Sequence, residues 1–263
     1  MSLSVVMPVH NEEKYLPYSL RSLKLIDDLV DEFIFVIDNC SDNSEIMIKT
    51  MFPGSIISHL DTHKRKFLAS ETFQQGFDLA SKDIVLATGG DLVVNQMLPG
   101  LIRDSFSNPL MGTTCFRYLN YDLFDFKMRV KGHYENLYRN LIEKVRKQAR
   151  HTGFYAFRRK TMDEVGGLKD IPSEYNEWSS RIKKSSWLYE YVPYVCAIHL
   201  RPGLNKSKQI LQGQSRFYLP NYNFVKTLFH SFIHVKPYLI QGYLQEKTSH
   251  SLTKIGDHGG RKI

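Results

Sequence analysis

Short apolar runs alternate with segments of helical periodicity over residues 1–91, and this alternation limits the possible folds more than any other feature of the sequence. The strand-like runs are residues 3–7, 33–37, 56–59 and 84–87, and the helical segments between them are residues 13–25, 44–51 and 69–80. A helical segment separates each pair of successive strands, as the crossover helices of a parallel sheet do. The sequence therefore predicts an α/β domain with a mostly parallel sheet flanked by helices.

Polar residues follow three of the predicted strands, at 8–12, 38–44 and 89–91. Because the carboxyl ends of parallel strands meet at one edge of a sheet, we expect a functional site at this edge. Ser44 is predicted to cap the helix that follows the second strand. Further along, residues 126–150 are amphipathic and rich in Lys and Arg, which predicts one or two helices that leave the sheet and return.

Charge is distributed unevenly along the chain. Residues 1–199 hold 25 Lys and Arg against 25 Asp and Glu, whereas residues 200–263 hold 10 against 2. We therefore divide the chain into a domain at 1–199 and a basic C-terminal extension at 200–263. Such an extension is typical of a segment that meets lipid headgroups or nucleic acid, although a solvated basic face is equally compatible with it.

The cysteine pattern indicates the compartment. Cys40, Cys115 and Cys196 are odd in number and show no CxxC spacing, which argues against a disulfide framework and against a zinc site. No basic leader precedes the first apolar run, and no apolar run of about 18 residues could span a membrane. We expect a cytoplasmic protein that is either free or peripheral at the inner face of the membrane.

Five motifs carry a resemblance to a known family. They are Pro8, Asn11 and Glu12 after the first strand; Asp38 after the second; the segment from Lys64 to Asp91 with Gln74, Gly76 and Ala80; Gly153, Arg158, Arg159 and Gly166-Gly167-Leu168; and Glu174 with Arg181. In this order they resemble the motifs of family 2 glycosyltransferases, which have the GT-A fold. The resemblance covers roughly residues 3–200 and is nearest to enzymes that make or use polyprenol-linked sugars.

The resemblance implies a function and a site. The function is the inverting transfer of a sugar from a nucleotide diphosphate-sugar to the hydroxyl of a sugar, a polyprenol or another acceptor. The implied site residues are Pro8, His10, Glu12, Asp38, Lys64 and Asp91 for the nucleotide, Asp91 and His199 for Mg²⁺ or Mn²⁺, Arg158 and Arg159 for phosphate, and Glu174 and Glu177 for acid–base catalysis. Hard oxygen ligands suit these ions, and a carboxylate suits the removal of a hydroxyl proton.

Two positions depart from the family pattern. Gly89 stands where the metal motif has its first carboxylate, which leaves Asp91 as the carboxylate of that motif. Tyr175 stands at the position of the catalytic aspartate. Because a phenol has an ordinary pKa near 10, proton removal at neutral pH would fall to Glu174 or Glu177.

Other interpretations remain open. Glu174 is also explained by a stabilising position at a helix start, His199 by a satisfied histidine, and Arg158 and Arg159 by exposure to water. A family member that binds nucleotide sugar without turnover is one alternative function. A nucleic-acid-binding protein is another, but residues 1–199 carry no net charge and no RNA-recognition signature.

The extension has its own prediction. Aromatic and aliphatic residues between 217 and 244 are interrupted by Lys226, His230, His234 and Lys236, which suits short helices on a membrane surface, divided by Pro220 and Pro237. The alternatives are that these aromatics pack onto the rest of the chain or form a homodimer interface.

Overall fold

A computed structural model of the 263-residue chain describes residues 1–65, 68–146, 154–171, 174–201, 206–218, 223–233 and 236–258. The chain divides into two compact units, of which the larger comprises Met1–Asp170 with Tyr175–Gly203 and the smaller Ile171–Glu174 with Leu204–Ile263.

The larger unit is built on one sheet. Its strands are β1 (Leu3–Val9), β2 (Glu32–Asp38), β3 (Ile56–Leu60), β4 (Ile84–Ala87), β5 (Leu92–Val94), β6 (Met111–Asn120), β7 (Tyr155–Arg158) and β8 (Leu188–His199). Among the described residues they pair in the order β3-β2-β1-β4-β7-β6-β8-β5. Strands β1 to β4 are parallel, and β6 and β8 run the same way because β7 is antiparallel to both β4 and β6. The prediction of a mostly parallel α/β sheet is confirmed.

Helices cover both faces of this sheet. They are α1 (Leu16–Lys24), α2 (Ser44–Met51), α3 (Leu68–Leu79), α4 (Leu98–Phe106), α5 (Phe126–Arg146), α6 (Arg159–Val165) and α7 (Glu174–Ile182). Side chains of α1, α2 and α4 form one apolar cluster with the sheet, and side chains of α3, α6 and α7 form a second. With helices on both faces, the central strands are buried throughout, which explains their continuous apolar runs.

The first helix begins later than predicted. Its start at Leu16, and not at residue 13, follows from a turn in which the Tyr15 and Leu16 N–H groups both donate to the Glu12 carbonyl. Pro17 lies in the first turn of α1, where its missing N–H has no cost. The turn directs the chain away from β1, three residues after the strand ends at Val9.

Ser44 does not cap α2 as predicted. It is the first residue of the helix, and its own N–H donates to Asp42 Oδ1 at 3.0 Å. The Ser44 hydroxyl accepts the Glu12 N–H at 2.9 Å instead. The hydroxyl therefore ties the loop after β2 to the loop after β1, a long-range contact that a local capping pattern does not indicate.

Gly76 brings α3 close to the sheet. A methyl group at this position would lie 2.3 Å from Val6 Cγ1 of β1, far inside van der Waals contact. Glycine is therefore required by the distance between helix and strand. Thr72 lies one turn earlier on the same face of α3 and is buried.

The smaller unit contains the helices α8 (Lys206–Tyr218), α9 (Phe224–Ile233) and α10 (Tyr238–His258). Helices α8 and α10 cross at Gly213 and Gly242, where an added methyl would lie within about 2 Å of a backbone oxygen of the other helix. Pro237 directly precedes α10, where the sequence predicts a division between two helices. Pro220, His234 and Gly153 of the fourth motif lie outside the described residues. Over the part of the chain that the structure describes, none of the helices is both long enough and apolar enough to cross a bilayer.

Candidate active site

The loops that leave β1 and β2 are fixed against each other. Asn11 and Asn39 adopt left-handed backbone conformations, with φ of 51° and 46°, where asparagine is better tolerated than most residues. Asn11 Oδ1 accepts the Ser41 N–H at 2.8 Å, and the loops are also joined by the Ser44 contact described above. The side chains that these loops present are therefore held in place by the fold.

A charged cluster lies where β1, β4 and β8 end. Arg201 donates from Nε to Asp91 Oδ2 at 3.1 Å and from Nη2 to Glu12 Oε1. The guanidinium also lies 5.1 Å from the centre of the Tyr15 ring. Although partial burial opposes its charge, the carboxylates of Asp91 and Glu12 raise the pKa of Arg201 above its ordinary value. The Arg201 guanidinium thus bridges two carboxylates that follow different strands, Glu12 after β1 and Asp91 after β4.

His199 lies beside the same carboxylate. Its Nε2 is 3.2 Å from Asp91 Oδ2, because β5 pairs Leu92 with His199 and the Leu200 N–H donates to the Asp91 carbonyl at 2.8 Å. Its Nδ1 donates to Asn120 Oδ1 at 3.1 Å. That hydrogen bond directs the Nε2 lone pair of the neutral ring toward Asp91, an arrangement that needs a cation or a proton between the two groups.

Asn120 is itself fixed by further hydrogen bonds. Its side-chain amide donates to Glu135 Oε2 at 3.0 Å, and its backbone N–H and carbonyl bond the Asn136 side chain at 2.9 and 2.8 Å. A second layer of this kind fixes the ring orientation and the tautomer of a metal-binding histidine. Neither Asn120 nor Arg201 is predicted from the sequence; for Arg201 the signal is its position two residues after the predicted ligand His199.

Asp91 and His199 are suitable ligands for Mg²⁺ or Mn²⁺. Their 3.2 Å separation is close to the roughly 3 Å between neighbouring ligands of an octahedral ion with bonds of about 2.1 Å. Among the described residues, no group of three or more His, Cys, Asp or Glu side chains is arranged to hold a metal. The described residues therefore offer two candidate ligands here, and Arg201 contacts the same Asp91 oxygen that faces His199.

Asp38 and its neighbours form a second part of the site. Asp38 Oδ1 accepts a hydrogen bond from His63 Nε2 at 2.8 Å, and Oδ2 accepts the Thr72 hydroxyl at 3.2 Å. His10 Nδ1 donates to the Asp38 carbonyl at 2.6 Å. His63 Nδ1 also faces Glu71 at 3.3 Å, so the protonated ring can donate to both carboxylates. His63 was missed by the sequence analysis, which selected the adjacent lysine.

The remaining residues predicted for the nucleotide lie at the same edge. Pro8 pairs with Val36 inside β1 and is half-buried. Lys64 is exposed, and its backbone N–H donates to the Glu71 carboxylate at 3.0 Å. Parallel pairing of β1 with β2 and of β2 with β3 brings these positions to the edge that carries Asp38.

Arg158 and Arg159 lie elsewhere. Arg158 pairs with Ile84 at the start of β4, which is the edge of the sheet opposite Asp91. Its guanidinium donates to the carbonyl of Phe106, the last residue of α4, at 3.0 Å and to that of Asn108 at 3.2 Å. Arg159 is exposed at the start of α6. The geometry does not bring this pair to the site that the other predicted residues form.

Tyr175 is buried in the core. Its ring stacks on Tyr155 with centroids 3.7 Å apart, and its hydroxyl contacts Cys115 Sγ. Burial raises the pKa of the Tyr175 phenol well above its ordinary value. The phenol therefore cannot serve as a base, in agreement with the expectation drawn from its side-chain type.

Glu177 belongs to an ion-pair network on α7. Arg181 Nε donates to both Glu177 oxygens at 3.0 Å, and Lys169 Nζ lies 3.1 Å from Oε1. The Arg181 guanidinium also donates to the carbonyls of Gly166 and Gly167 at 3.0 and 2.7 Å. Glu177 thus orients an arginine that holds the Gly-Gly turn. Glu174 begins α7, but its side chain lies outside what the structure describes.

The solved structures of similar fold include a glucosyl-3-phosphoglycerate synthase and a mannosyltransferase. The glucosyl-3-phosphoglycerate synthase of Mycobacterium tuberculosis, in complex with Mn²⁺, uridine diphosphate and phosphoglyceric acid, superposes with a TM-score of 0.58 at 19% identity, over 81% of this chain and 75% of that chain. A mannosyltransferase of Pyrobaculum calidifontis, in complex with GDP-mannose and Mn²⁺, gives a TM-score of 0.62 at 15% identity, over 99% of this chain and 76% of that one. The fold is accordingly the GT-A fold.

A comparison with curated protein sequences gave no significant match. The sequence model described as "Glycosyl transferase family 2" matches residues 4–166, which is more than half of the chain and includes the loops after β1, β2 and β4. The resemblance drawn from the five motifs is confirmed, and the chain belongs to glycosyl transferase family 2.

Proposed function

We propose that the chain is an inverting glycosyltransferase that moves a sugar from a nucleotide diphosphate-sugar to an acceptor hydroxyl, with Mg²⁺ or Mn²⁺ at the diphosphate. The observation that carries the proposal is the convergence of Asp38, Asp91, His199 and Arg201 at one edge of the sheet. Support also comes from the two similar structures, which contain Mn²⁺ together with uridine diphosphate or GDP-mannose.

Within this proposal, Asp91 and His199 hold the metal. A divalent cation at this place stabilises the negative charge of the leaving diphosphate. Arg201 contributes a second positive charge next to the same carboxylate, and it is held between Asp91 and Glu12 before any donor binds. A fixed cation aimed at developing charge stabilises a transition state more than a mobile one does. Because Gly89 supplies no carboxylate to the metal motif, the carboxylate that remains there is that of Asp91, and Arg201 lies beside it.

Asp38 is proposed to accept a hydrogen bond from the base or the ribose. In the Asp38→Ala variant, the affinity for nucleoside diphosphate should fall by about tenfold or more, which corresponds to about 1.4 kcal/mol, because the acceptor and the group that orients His63 are both lost. Calorimetric titration in excess chelator measures this without a contribution from metal. Asp28→Ala, an equal charge change at an exposed turn, is the matched control. Unchanged affinity in the Asp38 variant would remove this residue from the pocket.

Glu174 is the better candidate for the general base, because Glu177 is already occupied by Arg181 and Lys169. We expect Glu177→Gln to keep transfer within about threefold of the parent, while the melting temperature falls by a few degrees, since a partly exposed ion pair contributes up to about 1 kcal/mol. Initial rates and thermal denaturation test this. A loss of rate by a hundredfold at unchanged melting temperature would instead assign the proton transfer to Glu177.

One observation favours a second candidate function, in which the chain binds nucleotide sugar without turnover. Tyr175 fills the position of the catalytic aspartate and is buried against Tyr155. A thermal-shift panel of uridine and guanosine diphosphate-sugars, with and without Mn²⁺, identifies the donor because a ligand that binds only the folded state stabilises it. Radiolabelled donor then decides between the functions. Release or transfer of labelled sugar supports the enzyme, and binding with intact donor supports the second candidate.

A further inference from the structure

Helix α5 presents a row of apolar side chains to solvent. Five large side chains at spacings of four, four, three and four residues fall on one side of the helix. They are Phe126, Val130, Tyr134, Leu137 and Leu141, each more than half exposed. We refer to these five side chains as the α5 stripe. It runs along most of a 21-residue helix, which is a longer apolar surface than scattered exposed residues produce.

Polar residues of α5 face the sheet instead. Asn136 bonds both backbone groups of Asn120 in β6, Glu135 accepts from the Asn120 side chain, and Asn140 accepts from Arg117. Gly132, on the same side, is buried. Turning the helix to bury the stripe would break these hydrogen bonds. The outward direction of the stripe is therefore set by specific contacts, and the described side chains of α5 have the reverse of the polarity expected for a helix that covers a core.

The positive charge of α5 indicates which kind of partner binds the α5 stripe. Residues 126–146 contain six Lys and Arg against two Asp and Glu. A second copy of α5 would bring a second excess of positive charge onto the first, which is unfavourable. An anionic lipid surface has the opposite charge, and aromatic side chains such as Phe126 and Tyr134 are suited to the depth of its headgroups.

We infer that α5 docks on an anionic lipid surface, with the stripe inserted among the headgroups and Lys127 and Lys131, which lie along one side of it, contacting lipid phosphate. The inference does not depend on the proposed sugar transfer, and it concerns a different segment from the extension at residues 200–263. A helix of this type lies in the membrane interface and binds through apolar area together with charge.

Cosedimentation of the full chain with vesicles tests the inference. Vesicles of phosphatidylcholine with about one third phosphatidylserine are compared with vesicles of phosphatidylcholine alone. The double variant Val130→Glu/Leu137→Glu places two acidic groups on the stripe. Ile46→Glu, at an exposed position of α2, is the matched control, and Phe229→Glu, exposed on α9, measures any separate contribution of the extension.

The parent should bind the anionic vesicles, and binding should weaken with added salt because phosphate contacts are screened. The double variant should bind at least tenfold more weakly at an unchanged melting temperature, while Ile46→Glu should bind like the parent. Parental binding by the double variant, or a parent that stays in the supernatant, overturns the inference. A parental dimer that the double variant converts to monomer assigns the stripe to a second copy, and a lowered melting temperature with unchanged vesicle binding assigns it to the chain itself.

Discussion

Asp91→Asn is expected to reduce sugar transfer by at least about a hundredfold, which corresponds to about 2.7 kcal/mol of transition-state stabilisation. The variant keeps the shape of the side chain but removes the charge that faces His199 and Arg201. Because Gly89 supplies no carboxylate, the metal motif contains no second acid to compensate. The fold should be retained, since an amide can still contact both neighbours.

Initial rates with Mn²⁺ measure this effect, and titration of donor with and without chelator provides a second readout that does not require turnover. In the parent, chelator should weaken donor binding; in Asp91→Asn, affinity should be low and nearly independent of chelator. Asp104→Asn, an exposed position on α4, controls for the loss of one charge. Parental, metal-dependent affinity in the Asp91 variant would show that the metal is held elsewhere.

Arg201→Gln should lower both stability and donor affinity. The guanidinium is the cation between Glu12 and Asp91, whose side chains are only 10% and 13% exposed. Removing one member of a buried ion pair leaves the other charges uncompensated, and for this partly exposed cluster we expect a loss of about 2 kcal/mol in the free energy of unfolding. For a chain of this size, the melting temperature should fall by about 4–8 °C.

The loss of stability in the Arg201→Gln variant should depend on pH in a defined direction. Without the guanidinium, the ionised carboxylates of Glu12 and Asp91 lie near each other in the folded state with no arginine between them, and they repel. Their ionised forms oppose folding, so the difference between variant and parent should be largest at neutral pH. It should shrink as the pH falls and the carboxyls take up protons. Melting temperatures of both proteins between neutral and mildly acidic pH test this, and a difference that grows on acidification would contradict it.

The Arg201→Gln variant also tests whether Arg201 and a divalent metal ion compete for Asp91. Since Arg201 contacts the Asp91 oxygen that faces His199, it competes with a divalent ion for that oxygen. Mn²⁺ without donor should therefore raise the melting temperature of Arg201→Gln more than that of the parent. In His199→Gln/Arg201→Gln the extra stabilisation should disappear, because a ligand is lost. Equal shifts in all three proteins would mean that Mn²⁺ does not bind at this cluster.

The predictable parts of this molecule are those that local sequence determines. Strands β1, β2 and β4 are buried on both sides and have continuous apolar runs, so their positions and parallel arrangement follow from the pattern. The edge that carries Asp38 and Asp91 follows in turn, because parallel strands end together. The resemblance to family 2 glycosyltransferases rests on the same loops.

The parts that could not be predicted depend on contacts between distant segments. Arg201 lies 110 residues from Asp91 in sequence, and it reaches that carboxylate only because β8 runs parallel to β6 and pairs with β5. Periodicity predicts that α5 has an apolar side, but the hydrogen bond that Asn136 donates to Asn120 and the one that Asn140 accepts from Arg117 decide that this side faces outward. The network around Glu177 depends in the same way on the turn at Gly166.

The contact between Gly76 and Val6 sets how closely α3 packs on the sheet beside Asp38. Thr72 reaches Asp38 from one turn earlier on α3, so the height of that helix above β1 determines where the threonine hydroxyl lies. Because a methyl group does not fit at position 76, the backbone of α3 packs directly on the side chain of Val6. This contact sets the height of α3 above β1. Under the role proposed for Asp38, the fit of the donor thus depends in part on the spacing between α3 and the sheet, which the contact between Gly76 and Val6 sets.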